Sequence, residues 1–170
     1  MRRIPALALA LPMLACSSGV APKATERGPL PEMTPSVALG VPGGPDGLDF
    51  APLAAGDELR LKTFGQGGTH VILAVRTFGF GNRAFVGFTL VNLNTGGTIE
   101  APPPVRPQLF ACEDDGTCVL VPVTVMTGGL FGPTDDTAEG APVEISVSAY
   151  TDAGVEGSDQ RDVVLSRADL

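Results

Sequence analysis

Between positions 143 and 150 the chain alternates strictly, with Val143, Ile145, Val147 and Ala149 apolar and Glu144, Ser146, Ser148 and Tyr150 interleaved among them. A period of two sends the first set to one face of an extended strand and the second to the other, so this segment must lay one side on a core. Two ten-residue runs carry the same texture. In THVILAVRTF, residues 69–78, Val71, Leu73 and Val75 share a face, and His70, Ile72, Ala74 and Arg76 share the opposite, partly exposed one. In TCVLVPVTVM, residues 117–126, Val119, Val121, Val123 and Val125 alternate with Cys118, Leu120, Pro122 and Thr124. Further candidate strands cover residues 48–53, 58–64, 84–93, 105–111 and 162–165.

Turn residues punctuate these runs at Gly65-Gln66-Gly67-Gly68, at 79–82, at 94–97 and at Gly128-Gly129, and no window sustains a 3.6-residue period. Seven to nine strands in about 120 residues predict an all-β domain. The expected architecture is an antiparallel β-sandwich of immunoglobulin-like or fibronectin-like kind, with a small barrel or jelly roll as the alternative. The Trp that packs on the inter-sheet disulfide of antibody domains is missing, since the chain has no Trp. One domain, residues 48–170, is expected, because that length supports one core and not two.

Ahead of it, residues 17–47 contain six Pro and six Gly and few large apolar side chains. Such a segment buries too little surface to offset its ordering entropy, so residues 16–47 are expected to form a flexible tether, spanning from ~30 Å as a coil to ~95 Å when extended. Residues 1–15 have another character. Arg2 and Arg3 precede an uncharged apolar run from Ile4 to Leu14, and Ala15 precedes Cys16. The run is shorter than the ~20 residues a membrane-crossing helix needs, so a removed signal peptide is expected.

The end of that run, Met13-Leu14-Ala15-Cys16, resembles the lipobox of bacterial lipoproteins, with Met13 where Leu is commonest in the family. The resemblance implies that Cys16 receives a diacylglyceryl group, that the chain is cut before it, and that the new amino terminus is acylated. Ser17 follows the cysteine where an aspartate would, by the same resemblance, favour inner-membrane retention, so the outer membrane is the expected destination. Gly67-Gly68-Thr69-His70 with the strand behind it is similar to stretches of uncharacterised predicted lipoproteins of Gram-negative bacteria, over about a quarter of the chain. That likeness implies no activity.

Cysteine arithmetic agrees with lipidation. Three cysteines leave one over in an oxidising compartment, and Cys112 and Cys118 flank a turn, Glu113-Asp114-Asp115-Gly116-Thr117, between two candidate strands. A hairpin disulfide is expected there; the spacing is neither CxxC nor a four-ligand zinc pattern.

Candidate chemistry is sparse. His70 is the only histidine and lies in no GxSxG or HExxH context, so it is expected as a strand-start residue on a partly exposed face. As a copper or zinc ligand it would need oxygen or sulfur partners. The weak candidates are Asp135, Asp136 and Glu139; the clusters Glu113-Asp114-Asp115 and Asp159 with Asp162 also lack the DxDxDG register of a calcium loop. No catalytic residue and no cofactor is assigned. Removing residues 1–15 takes away two basic residues and no acidic ones, moving the side-chain charge from −8 to −10. A chain so acidic repels phosphate backbones, which excludes nucleic acid as a natural partner.

The expected function is therefore non-catalytic: an envelope module, held to the bilayer through acylated Cys16, that binds another envelope protein along a strand edge or by its loops. The competing class is a glycan- or metal-binding domain, or a hydrolase. Against it stand the absence of Trp, a single Tyr, and no evident pair of carboxylates for glycoside hydrolysis.

Overall fold

The computed structural model describes residues 34–63, 68–128, 130 and 138–167. Cys16, Asp135 and Asp136 lie outside them. The described residues are all-β with no helix, and run in order β1 (Ser36–Gly43), β2 (Asp49–Pro52), β3 (Glu58–Thr63), β4 (Thr69–Phe78), β5 (Arg83–Asn92), β6 (Thr98–Ala101), β7 (Gln108–Leu109), β8 (Ala111–Cys112), β9 (Thr117–Met126), β10 (Pro142–Tyr150) and β11 (Glu156–Arg167).

Pairing divides the strands into two sets. In the first, β4 is central, with β9 along one edge and β1 on the other; β2 extends β1 and β8 extends β9. In the second, β10 lies between β11 and β5, and β6 and β7 pair with β5. β3 joins the sets, running parallel to β11 through Glu58–Leu61 and antiparallel to β4 through Lys62 and Thr63. One apolar cluster draws on both, with Leu73, Val75 and Val125 from the first set and Leu90, Ile145 and Val163 from the second. This is consistent with a β-sandwich. Among the described residues eleven strands replace the expected seven to nine because short pieces add to the count, and one pairing, β3 with β11, is parallel where antiparallel strands were expected throughout.

The folded unit begins earlier than composition indicated. Residues Met33–Leu170 group as one compact unit, and β1 falls inside the segment 16–47 expected as tether. Val37, Leu39 and Val41 alternate there toward the core, and Leu39 is buried. The glycine that made the segment look coil-like is a packing residue. A side chain on Gly40 would meet the Ala51 carbonyl and the Phe50 ring, so Gly40 lets β2 close over β1.

β9 departs from the expected alternation. Val123 faces Leu73 and Leu120 faces Val75, so Val121 and Pro122 together stand opposite Ala74 in a bulge. An extra residue inverts the phase, and the core therefore takes Cys118 and Leu120 before the bulge and Val123 and Val125 after it, not the four valines as one face. Pro122 has no amide hydrogen to give a ladder, which makes a bulge its natural place.

β11 extends well ahead of the expected 162–165. Its first half is polar, and register with β10 from Tyr150–Glu156 onward holds it extended, an override of local propensity by pairing.

Candidate functional site

Two hollows open along the first strand set. The larger, about 530 Å³, is bordered by Leu48 and Phe50 at β2, Arg76 and Val119 on β4 and β9, and Cys112 and Asp115 of the β8–β9 hairpin. Arg76 stands opposite Ala38 of β1 and Val119 of β9. Its guanidinium lies over the Phe50 ring, 4.5 Å from the centroid, so the ring that covers Gly40 also carries the cation. A neighbouring hollow of about 440 Å³ is more apolar, with Val41, Leu59, Ile72 and Pro122 flanked by Arg60 and Lys62.

The hairpin wall is rigid for local reasons. Cys112 and Cys118 are directly opposite in register and joined by the expected disulfide. The turn closes through Glu113 N–H to the Thr117 carbonyl, 2.8 Å, and Gly116 N–H to the Glu113 carbonyl, 3.1 Å. Gly116 takes a positive φ of 88°, which a side chain would oppose. The Thr117 amide donates to Asp115 at 2.8 Å, and this bond lowers the Asp115 pKa, keeping the carboxylate ionised at the mouth of the cleft. Reducing the disulfide opens a short loop, so unfolding free energy should fall by about 2 kcal/mol, read as a shift in urea midpoint between oxidised and reduced protein.

The arrangement favours recognition over proton transfer. Arg76 presents its guanidinium over the Phe50 ring, and Asp115 is held ionised. Among the described residues, no group of three or more His, Cys, Asp or Glu side chains is placed to hold a metal ion. Glu139 sits exposed in a turn.

His70 is not on a partly exposed face as expected; it is 3% exposed. It stands in register between Lys62 of β3 and Met126 of β9. Burial, and secondarily the Lys62 charge, lower its pKa below 6.5. A depressed folded-state pKa means that the unfolded chain takes up the proton first. Stability carried by His70 is therefore present above the unfolded pKa and lost as pH falls from there through the lower folded-state pKa. Urea midpoints taken from about pH 8 to about pH 5 should fall more steeply for the wild type than for His70→Gln.

On the side of the second set away from the core, Phe85 and Tyr150 stack across β5 and β10, centroids 4.9 Å apart and planes 13° from parallel. Each falls in a segment expected as strand. Only the register shows that the chain's one tyrosine meets a phenylalanine, just as only the hairpin geometry brings Phe50 to Arg76.

No family model, no curated protein and no solved structure matches the chain.

Proposed function

We propose that the chain is a lipid-anchored protein of the bacterial envelope whose β-domain is a non-catalytic interaction module. The observation that carries this is the fate of the cysteines. Cys112 and Cys118 bond to each other, so the cysteine left over is Cys16, the one that ends the signal-like run MRRIPALALALPMLAC. Acyl chains contribute ~0.8 kcal/mol per buried CH₂, and two or three chains make attachment effectively permanent. Ser17 after the cysteine favours the outer membrane. The domain belongs, in this proposal, with immunoglobulin-like and fibronectin-like sandwiches, whose edges and loops serve as contact surfaces.

Several surfaces support an interaction role. Beyond Val119, the outer edge of β9 pairs with no strand among the described residues, and Met126 at its end is 56% exposed. Pro122 and its bulge interrupt that edge, which limits pairing with arbitrary chains. The cleft with Arg76 adds a fixed cation beside an apolar wall.

The test is fractionation with crosslinking in intact cells. The wild type should pellet with membranes and crosslink to a defined envelope protein, and Cys16→Ser should shift the chain to the soluble fraction. A membrane-bound Cys16→Ser variant, or a wild type that crosslinks only to itself, would defeat the proposal.

A further inference from the structure

The outward face of the second strand set is a grid of four rows fixed by register. Glu144 stands opposite Asp162 in the first row, and Tyr150 lies between Phe85 and Glu156 in the fourth. The two middle rows carry hydroxyl and amide side chains, with Glu100 of β6 at the side of one of them. Alternate residues on β10 and, Gly87 excepted, on β5 are buried, which assigns the intervening ones to this outward face; Gly87 lies on it beneath Pro103.

Three features distinguish this face from an ordinary solvated one. First, Glu144 and Asp162 are directly opposite on paired strands, where like charges repel, and Gln160 relieves Glu144 with a 2.6 Å hydrogen bond. Second, no Lys or Arg occupies the grid. Arg161 is on the same strand but donates to the Leu53 carbonyl at 3.0 Å and pairs with Asp159 at 2.7 Å, and Arg83 lies beyond the last row. Third, the far end carries an exposed aromatic: Tyr150 is 40% exposed, is stacked on Phe85, and borders a hollow of about 400 Å³ shared with Ser148, Ser158 and Glu156. A carboxylate beside an aromatic ring suits an ammonium or guanidinium group, through charge and cation–π attraction together.

We infer that this face is a docking track for an extended basic segment of a partner protein, one cation seated between Tyr150 and Glu156 and another between Glu144 and Asp162. The two seats are six residues apart along β10, about 20 Å at ~3.3 Å per residue, so an extended partner presents its cations about six residues apart. The proposal deepens, and rests on, the view of the domain as an interaction module. Charge favours a cation over a neutral glycan, whose hydroxyls can donate hydrogen bonds to carboxylates but gain none of the salt-sensitive Coulombic attraction that four of them exert on a cation.

The chain contains one tyrosine and no tryptophan, so its tyrosine emission reports on Tyr150 alone. The full chain in a neutral detergent is titrated with a capped threonine-rich peptide carrying lysines about six residues apart. Expected are a saturable change in Tyr150 emission, its loss at high salt, and roughly tenfold or greater weakening in E144Q/D162N. Because that variant removes a like-charge pair, its Tm is expected at or above the wild-type value. The inference is overturned by no saturable response, by an equal response to the glutamate counterpart peptide or to a neutral chito-oligosaccharide, by unchanged affinity in E144Q/D162N, or by loss of fold in that variant. In cells the two proposals separate. A crosslinked partner retained equally by E144Q/D162N overturns the track and leaves the module, whereas no partner at all removes the module even if the peptide binds.

Discussion

Ile145→Ala should cost about 3 to 4 kcal/mol, a large share of the ~5–15 kcal/mol by which domains of this size are stable. Ile145 is fully buried at the centre of β10, with Leu90 of β5 and Arg161 of β11 opposite it in register, and it belongs to the cluster that draws on both strand sets. Truncation removes transfer free energy and leaves a cavity that a pleated, doubly paired strand cannot collapse to fill. Val164→Ala is the matched control, since Val164 is exposed and its loss should stay within about 0.5 kcal/mol. Urea denaturation of the two variants decides. A loss under about 1 kcal/mol for Ile145→Ala would mean that β10 presents its other face to the core, because a slip of one residue exchanges the faces.

Gly40→Val should destabilise by about 2 to 3 kcal/mol, the cost of forcing a larger side chain into a filled space. Intrinsic strand preference works the other way by up to ~1 kcal/mol, so the sign itself is informative. The new side chain would press on the Ala51 carbonyl, which is backbone and cannot swing aside, and on the Phe50 ring, which can. Phe50→Ala should therefore recover part but not all of the loss, and a double-mutant cycle would show coupling between the two positions. Were residues 36–43 a tether, Gly40→Val would be neutral in every background.

The contrast between these two positions shows what was legible in the chain. Ile145 lies in a segment whose alternation survives intact from sequence to burial, because β10 is paired on both edges without interruption. The core face of β4 was legible too, with Val71, Leu73 and Val75 all buried, but the opposite face only in part, since His70 and Ala74 are buried there as well. β1 was not, because its glycines and prolines mean coil when averaged over a window, whereas Gly40 is present for close approach and Pro42 lies near the strand's end. β9 shows a different failure. Its alternation is real on each side of Pro122, but a bulge is a property of pairing with β4 and leaves no local signal beyond the proline itself.

Of the candidate sites, the disulfide was legible because a short turn between two strands nearly dictates it. The burial of His70 was not, since it depends on which residues the register sets beside it, Lys62 and Met126. The stacking of Arg76 on Phe50 and of Tyr150 on Phe85 joins residues far apart in sequence, and no spacing rule could have found either.

Cys16 is the residue on which the proposed anchoring depends, and intact-mass spectrometry of the protein isolated from its native envelope tests its modification most directly. The predicted species begins at Cys16, lacks residues 1–15, carries a diacylglyceryl group on that sulfur with an acylated amino terminus, and has no free thiol at Cys112 or Cys118. A chain that retains residues 1–15, or one whose Cys16 is unmodified, would contradict it.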